Sequence, residues 1–320
     1  MFGGYSTLGE SETDKCELYD GETNQWTKLP NMKNQRSGHV AIFSEYSGQP
    51  RFYVFGGSSS AGLLDSCESF EVGGSEWTVV EAKMNRPCNE MAAAFFDSTT
   101  VVLCAGYYSK CLALCESFDL VTHTFSPFAD LIEPRDAPAA VHYNDTVVVI
   151  GGSKDGSYLS SCEEYDRETN KWRPFAKLNK GRSYIGAAVS HSNIFVVGSS
   201  SDDNKIRIDI FDGTAWAVVT TLDSKFDGCR PVSFGDGKLV LLGGKLDSLE
   251  VYDPSSNTIT PLLVSSKPSF NFTLSAFVNT NCICLSYKCN NCITLRSFSL
   301  IPLLASIRIL TSLRLGLFCK

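Results

Sequence analysis

Residues 147–172 read VVVIGGSKDGSYLSSCEEYDRETNKW, and this stretch decides the fold. A short β-branched run ends in a glycine pair, an acidic motif with a central aromatic follows at Glu163–Asp166, and Trp172 comes seven residues after Tyr165. Short β-branched runs bounded by turn residues are typical of buried strands. Together with the apolar stretch before it, the unit carries about four short strands.

The same pattern recurs through the chain every 41 to 51 residues. The central aromatics are Tyr19, Phe70, Phe118, Tyr165, Phe211 and Tyr252. The apolar side chains that follow them are Trp26, Trp77, Phe125, Trp172, Trp216 and Ile259. The glycine pairs are Gly3-Gly4, Gly56-Gly57, Gly151-Gly152 and Gly243-Gly244, with altered versions at Ala105-Gly106 and Gly198-Ser199. A period of this length predicts sheets that stack on one another, with the aromatics in the core and the glycines at positive φ or at close backbone approaches.

Six such units in register, over about residues 1–280, resemble the kelch motif. The resemblance implies an all-β fold, a six-bladed β-propeller of four-stranded antiparallel blades. The first unit begins at its glycine pair, so we predict that strands near 271–287 complete the first blade and that residues 1–292 form the propeller. A seventh, altered blade is the alternative, because Phe298 falls 46 residues after Tyr252.

The last part of the chain departs from the repeat. Residues 254–320 contain no acidic residue, and we treat 293–320 as an atypical apolar and basic C-terminal tail. Its alternation of apolar and polar residues fits a strand, a stripe at helical spacing fits an interfacial helix, and an irregular tail is the third possibility.

Charge and cysteine content exclude several classes of protein. The chain has 28 basic and 35 acidic residues, a net charge of −7, which argues against broad nucleic-acid binding. Neither a run of 18 apolar residues nor a secretory signal is visible, so we expect no membrane span. An odd count of 13 cysteines suits reduced thiols and a cytoplasmic location.

The sequence shows no arrangement of residues that favours catalysis. The four histidines lack metal-ligand spacing, and Cys282, Cys284, Cys289 and Cys292 match no paired zinc-knuckle pattern. No phosphate-binding loop and no recognisable nucleophile arrangement is present. We therefore predict a protein that is not an enzyme and has no metal or cofactor; a sugar oxidase or epimerase on the same fold is the alternative that the resemblance leaves open.

Arginine is the most informative polar recurrence. Arginines fall in the loop between the last strand of one unit and the first strand of the next: Arg36, Arg86, Arg135, Arg182 and Arg230. On a propeller these loops share one face, so five arginines would ring one mouth of the channel and bind a carboxylate-rich peptide. The alternative is that each arginine bridges to a recurring acid, such as Glu68 or Glu163, and holds blades together.

The favoured function is a non-enzymatic protein-interaction module that binds a partner protein or an acidic peptide on its loop face. In the kelch adaptors that the chain resembles, such loops recruit substrates to cullin-type ubiquitin ligases. That role would require a BTB or F-box part before Met1, which this chain lacks. An actin-associated kelch scaffold is the alternative of the same class.

Overall fold

The computed structural model describes residues 2–6, 11–20, 25–199, 205–226, 228–243 and 249–262, and their secondary structure is almost entirely strand. The strands are β1 (Tyr5–Ser6), β2 (Ser11–Glu12), β3 (Cys16–Asp20), β4 (Gln25–Leu29), β5 (Val40–Ser44), β6 (Arg51–Phe55), β7 (Ser58–Ser59), β8 (Gly62–Leu63), β9 (Ser66–Glu71), β10 (Thr78–Lys83), β11 (Ala92–Phe95), β12 (Thr100–Cys104), β13 (Tyr107–Tyr108), β14 (Lys110–Cys111), β15 (Cys115–Asp119), β16 (Thr124–Phe128), β17 (Ala139–Tyr143), β18 (Thr146–Ile150), β19 (Ser153–Lys154), β20 (Ser157–Tyr158), β21 (Cys162–Asp166), β22 (Lys171–Phe175), β23 (Gly186–Ser190), β24 (Asn193–Ser199), β25 (Ile206–Phe211), β26 (Trp216–Leu222), β27 (Cys229–Phe234), β28 (Lys238–Gly243), β29 (Glu250–Asp253) and β30 (Thr258–Pro261). Three 3-10 turns span Tyr46–Gly48, Ser224–Phe226 and Gly235–Gly237.

These strands form a series of antiparallel sheets that follow one another along the chain. Sheet 1 is the pair β3–β4, sheet 2 is β5–β6–β9–β10, sheet 3 is β11–β12–β15–β16, sheet 4 is β17–β18–β21–β22, sheet 5 is β23–β24–β25–β26 and sheet 6 is β27–β28–β29–β30. In sheets 2, 3 and 4 a short hairpin connects the second and third strands of the sheet, and each strand of the hairpin has two residues. These hairpins are β7–β8, β13–β14 and β19–β20.

The first strands of sheets 2 to 6 lie beside one another in chain order, β5 next to β11, then β17, β23 and β27. This is the arrangement of a β-propeller, and it confirms the all-β fold with four-stranded antiparallel blades, five of which are described. The number of blades, six or seven, stays a prediction. The strands near 271–287 and the tail at 293–320 lie outside the described residues.

Each sheet is buried on both faces because its side chains alternate. Val101 and Leu103 of β12 pack toward sheet 2, whereas Val102 and Cys104 of the same strand pack toward sheet 4. A strand sends successive side chains to opposite faces, so a wholly apolar run needs a neighbour on each side. The repeated β-branched runs therefore require stacked sheets.

Sheet 1 also packs on both sides, although only two of its strands are described. Cys16 belongs to the apolar cluster that contains Trp77 of sheet 2. Tyr19 and Trp26, both half-buried, pack against the cluster of sheet 6 that contains Val251. Sheet 1 thus contacts both the first and the last of the four-stranded sheets.

The repeated aromatics pair across the two outer strands. Tyr165 lies directly opposite Trp172, and their ring centroids are 5.5 Å apart. The indole N–H of Trp172 donates to the carbonyl of Ala129, at the end of sheet 3, over 2.7 Å. Trp77 bonds the carbonyl of Pro30 and Trp216 that of Ala176 in the same way. Of the six central aromatics and the four tryptophans, eight are buried: Phe70, Trp77, Phe118, Tyr165, Trp172, Phe211, Trp216 and Tyr252.

All described residues belong to one compact unit, Met1–Ile283, and the second unit, Cys284–Lys320, lies wholly outside them. No helix in the described part of the chain is long and apolar enough to span a bilayer.

Gly57, the second residue of its glycine pair, lies where three backbones meet. Gly57 has φ +94°, and its N–H donates to the carbonyl of Cys88, in the loop that leads into sheet 3, over 2.8 Å. A Cβ on Gly57 would lie 2.6 Å from the carbonyl oxygen of Ser37, which the bridge between Ser37 and Ser58 holds in place. The close approach of main chain to main chain therefore excludes a side chain here.

Replacing Gly57 by Ala should destabilise the protein by about 2 kcal/mol or more, because both the positive φ and the close carbonyl oppose a Cβ. The matched control is Gly48→Ala, since Gly48 has φ +72° but no atom within 4 Å of the added Cβ. Urea unfolding of both variants measures the difference. Equal losses for the two would show that the close approach has no energetic weight.

Candidate functional site

Three of the five recurring arginines lie in the interior. Arg36 has no exposed surface, and its Nη1 donates to the carbonyl of Gly56 over 2.6 Å. Its Nη2 lies 2.6 Å from Oε1 of Glu68 on β9, a side chain that is also fully buried. The guanidinium therefore links the loop before sheet 2 to the glycine pair and third strand of that sheet.

Arg135 and Arg182 repeat this geometry in sheets 4 and 5. Nη1 of Arg135 donates to the carbonyl of Gly151, and its Nη2 lies 2.7 Å from Oε1 of Glu163. Arg182 bonds the carbonyl of Gly198 and lies 2.7 Å from a carboxylate oxygen of Asp209. Charge-assisted bonds of this kind are short and strong, and a buried ion needs them.

Two of the carboxylates also accept bonds from the backbone of the loop that carries their arginine. Glu163 accepts from the backbone N–H groups of Ile132 and Glu133 over 2.7 and 3.1 Å. Glu68 accepts from those of Lys33 and Asn34 in the same way. Each of the three arginines joins two consecutive sheets, because its carbonyl accepts from the N–H of the preceding glycine pair while its guanidinium bonds the acid of the following sheet, as the bridging alternative predicts.

This placement corrects the expectation of five arginines that ring the mouth. Arg36, Arg135 and Arg182 are buried in ion pairs within the fold, so their guanidinium groups are closed to a partner peptide. Arg86 is exposed, and Arg230 occupies a different place near the axis. Arg36, Arg86, Arg135 and Arg182 lie in loops between sheets, whereas Arg230 lies in β27, and spacing in the sequence does not show which way these side chains turn.

In sheet 3 a cysteine takes the arginine's position. The N–H of Gly57 bonds the carbonyl of Cys88, just as that of Gly4 bonds the carbonyl of Arg36. The corresponding carboxylate, Glu116, accepts from the backbone N–H of Asn85 over 3.0 Å. Burial raises the pKa of Glu116 above its usual range. The exposed Arg86 precedes this position by two residues, which a count of loop spacing cannot distinguish.

Replacing Arg135 by Ala should cost about 3 to 5 kcal/mol, because it leaves the Glu163 carboxylate buried without its ion-pair partner. Arg86→Ala, at the exposed arginine of the same loop class, should change the free energy of unfolding by less than about 0.5 kcal/mol. Chemical denaturation measures both. Similar small losses in the two variants would contradict a structural role for the buried arginine.

A chain of backbone hydrogen bonds connects the residues that precede the first strands of sheets 2 to 5, namely Gly38, Glu90, Ala137 and Tyr184. We call these four residues the axial ring. Glu90 donates its N–H to the carbonyl of Gly38, Ala137 to that of Glu90, and Tyr184 to that of Ala137, over 2.7, 3.0 and 3.1 Å. All four residues have φ between +48° and +59°. Arg230 of sheet 6 continues the chain with its side chain, since Nη1 donates to the carbonyl of Tyr184 over 2.7 Å.

The side chains of this axial ring form a charged cluster that sequence analysis did not find. The carboxylate of Glu90 lies over Gly38, 2.7 Å from the position of an added Cβ. Burial raises the pKa of Glu90 to about 7, although the positive charge of Arg230 opposes the rise. Burial likewise raises the pKa of Asp136 to about 6. The sequence held one indication of this cluster, because Glu90 stands at the position that Gly38 occupies in the preceding unit.

Exposed tyrosines surround the cluster. Tyr107 and Tyr108 of β13 are each 41% exposed, and Tyr184 is 40% exposed. The bridge between Asn89 and Tyr107 joins β13 to the loop that carries Glu90. Tyr158 of β20 lies close enough to Tyr184 to influence its pKa, which burial raises to about 12. We call this surface, formed by the axial ring and the hairpins β13–β14 and β19–β20, the tyrosine face.

The remaining candidate residues carry no second site. No group of three metal-ligating side chains is placed to hold an ion in the part of the chain that the structure describes. The cysteines near 282–292 lie outside it. None of the described cysteines forms a disulfide: Cys16, Cys67, Cys88, Cys104, Cys111, Cys115, Cys162 and Cys229.

The stability of the protein should fall as pH rises from about 5 to about 7.5, in part because of Glu90. Its folded pKa of about 7 lies above that of an unfolded glutamate, so the native state binds more protons in this window. Arg230, Asp136 and Tyr184 face the same carboxylate and are unchanged in Glu90→Gln. Across this pH window the free energy of unfolding of Glu90→Gln should fall by about 1 to 3 kcal/mol less than that of the wild type. Parallel profiles of unfolding free energy against pH for the two proteins would refute this.

Comparison with known proteins agrees with the repeat geometry. The family model described as the KLHDC2/KLHL20/DRC7 Kelch-repeats domain matches residues 1–199. Kelch-like protein 7 of Rattus norvegicus is 32% identical over 65 residues, which are 20% of this chain and 10% of that protein, and Kelch-like protein 7 of Mus musculus matches to the same extent. The matched segment thus spans about a tenth of the length of these relatives. Because the family model covers more than half of the chain, and the sheets repeat with the same glycine, acid and aromatic positions, the chain belongs to the kelch-repeat family.

Proposed function

We propose that this kelch propeller is a non-enzymatic protein-interaction module that binds a partner protein through the tyrosine face. The observation that carries the proposal is the exposure of Tyr107, Tyr108 and Tyr184, on a hairpin and a loop that lie close together, since Cys111 of β14 is near enough to Tyr184 to influence its pKa. Tyrosine has a large apolar ring and a polar tip, and it loses little side-chain entropy on binding, so it is enriched at interfaces. The rigid sheets beneath supply a preorganised base for that surface.

The construction of the face supports the same proposal. Its residues lie on short hairpins and loops that project from fully hydrogen-bonded sheets, which is where binding residues concentrate in scaffold folds. The bridges Asn89–Tyr107 and Asp136–Ser153 tie each hairpin to the adjacent axial residue. A partner would therefore meet a surface whose backbone is already ordered, which lowers the entropic cost of binding.

The finer roles rest on the family resemblance. A ubiquitin-ligase adaptor role would place substrate recognition on the tyrosine face and would need a BTB or F-box part to recruit a cullin. An actin-associated scaffold would use the same face for a filament. The eight described cysteines form no disulfide, which suits the reducing, cytoplasmic compartment that we propose for either role.

The proposal is tested by comparing two surface variants in proximity crosslinking. Tyr107→Ser with Tyr108→Ser removes aromatic area from the tyrosine face, whereas Val79→Ser with Val218→Ser removes apolar area from the exposed outer strands β10 and β26. Partners that crosslink to the wild type should be lost at least tenfold with the tyrosine variant and retained with the valine variant.

Thermal unfolding of both variants serves as the folding control, since all four side chains are at least 41% exposed. The proposal would be wrong if the tyrosine variant crosslinked to the same partners as the wild type, or if the valine variant lost those partners to the same extent.

A further inference from the structure

Two carboxylates and one guanidinium lie together in the axial part of the tyrosine face. Glu90 and Asp136 lie near each other and near Tyr184, and Arg230 is the cation that faces Glu90. Arg230 already donates one of its N–H groups to the carbonyl of Tyr184. With both carboxylates ionised this group carries a net charge of −1, in a place where burial makes an unpaired charge costly.

The same place holds hydrogen-bond acceptors that lack donors. Oδ1 of Asn89 and Oδ1 of Asp136 are closed to solvent and have no hydrogen-bond partner among the described residues. The two residues occupy equivalent positions in consecutive sheets, each paired with the first residue of its hairpin. Both residues are partly exposed although these two oxygen atoms are not, so an entering group reaches the oxygens when the side chains rotate toward the tyrosine face. Unsatisfied acceptors call for a ligand that donates.

The tyrosines complete a site for a cation. Tyr184 follows Arg182 in the loop before sheet 5, and its ring is 40% exposed beside the carboxylates. Tyr107 exchanges backbone hydrogen bonds with Asn89 over 2.8 and 3.3 Å. The side chain of Tyr107 therefore leaves the backbone beside Asn89, whose Oδ1 has no donor. Aromatic faces attract lysine and arginine side chains, most strongly where water is partly excluded.

We infer that the tyrosine face receives a lysine or arginine side chain of the partner, held between Glu90, Asp136 and Tyr184. This inference rests on the proposed function and adds the chemistry of the partner. A guanidinium or ammonium group has donors and no acceptor, so it satisfies the free oxygens of Asn89 and Asp136 and balances the second carboxylate. The side chains that would have favoured an acidic peptide, Arg36, Arg135 and Arg182, are buried below.

The probe is a displayed library of random dodecapeptides, selected on the wild-type protein. We expect the selected peptides to share a lysine or arginine at one aligned position. Replacing that residue by Ala or Glu in a synthetic peptide should weaken binding at least tenfold, as measured by fluorescence anisotropy at 0.15 M salt.

The matched variants are Glu90→Gln with Asp136→Asn, and Glu81→Gln with Asp223→Asn. Both remove two negative charges, but Glu81 and Asp223 are exposed and lie on or beside the outer strands β10 and β26. The first pair should weaken the selected peptides at least tenfold, whereas the second should leave their affinity within about twofold. Thermal unfolding shows whether each variant is folded.

The outcomes separate this inference from the proposed function. Selected peptides that require Tyr107 and Tyr108 but share no basic residue would overturn the inference and leave the tyrosine face as a binding surface. Peptides that bind equally well to the Glu90 and Asp136 variant would overturn it too. Peptides whose binding ignores both the tyrosine and the carboxylate variants would overturn the inference and the proposed function together.

Discussion

The buried pair of Arg135 and Glu163 shows the constraint on which the other sheets also depend. A four-stranded sheet with apolar residues on both faces must have a neighbour on each side, but apolar contact does not by itself fix how the neighbours are aligned. The arginine fixes it, because its carbonyl accepts from the N–H of Gly106 in the preceding sheet's glycine pair, while its guanidinium bonds the glycine-pair carbonyl and the acid of its own sheet. The acid in turn accepts from the backbone of the loop that joins the two sheets. Specificity of register is thus built from directional bonds placed inside an apolar interface.

Variation between the sheets is consistent with this account. Sheet 5 has the arginine, Arg182, but its acid is the shorter Asp209. In sheet 6 the cation is Lys225, whose Nζ lies 3.1 Å from Oε1 of Glu250. Sheet 3 has Cys88 where the arginine would lie, and its acid keeps the backbone donor from the preceding loop. The bond from Gly57 to the carbonyl of Cys88 is unchanged, since it involves only main chain. The backbone contacts between sheets therefore persist where the side-chain pair does not.

Sequence reasoning reached the fold because its signals were local and repeated. The distance from Tyr165 to Trp172 sets their pairing across a hairpin, and a β-branched run before a glycine pair leaves little choice but a buried strand. The arginines show the limit of that reasoning. A recurring loop arginine has the same spacing whether its guanidinium points inward or outward. Its direction depends on whether a buried carboxylate lies near it in the folded protein. Glu90 was missed for a related reason, because its significance comes from a left-handed backbone and from Arg230, about 140 residues away in the sequence.

The axial ring separates the residues that hold the fold from those that are free to differ. Gly38, Glu90, Ala137 and Tyr184 share a backbone conformation and a chain of main-chain hydrogen bonds, so the position tolerates side chains of any chemistry. Left-handed conformation costs a residue other than glycine on the order of 1 kcal/mol, and three sheets accept that cost. Ala137 bears the same cost although it is buried, so the conformation by itself does not single out a side chain that contacts a partner. The glutamate and the tyrosine are the two whose chemistry reaches the tyrosine face.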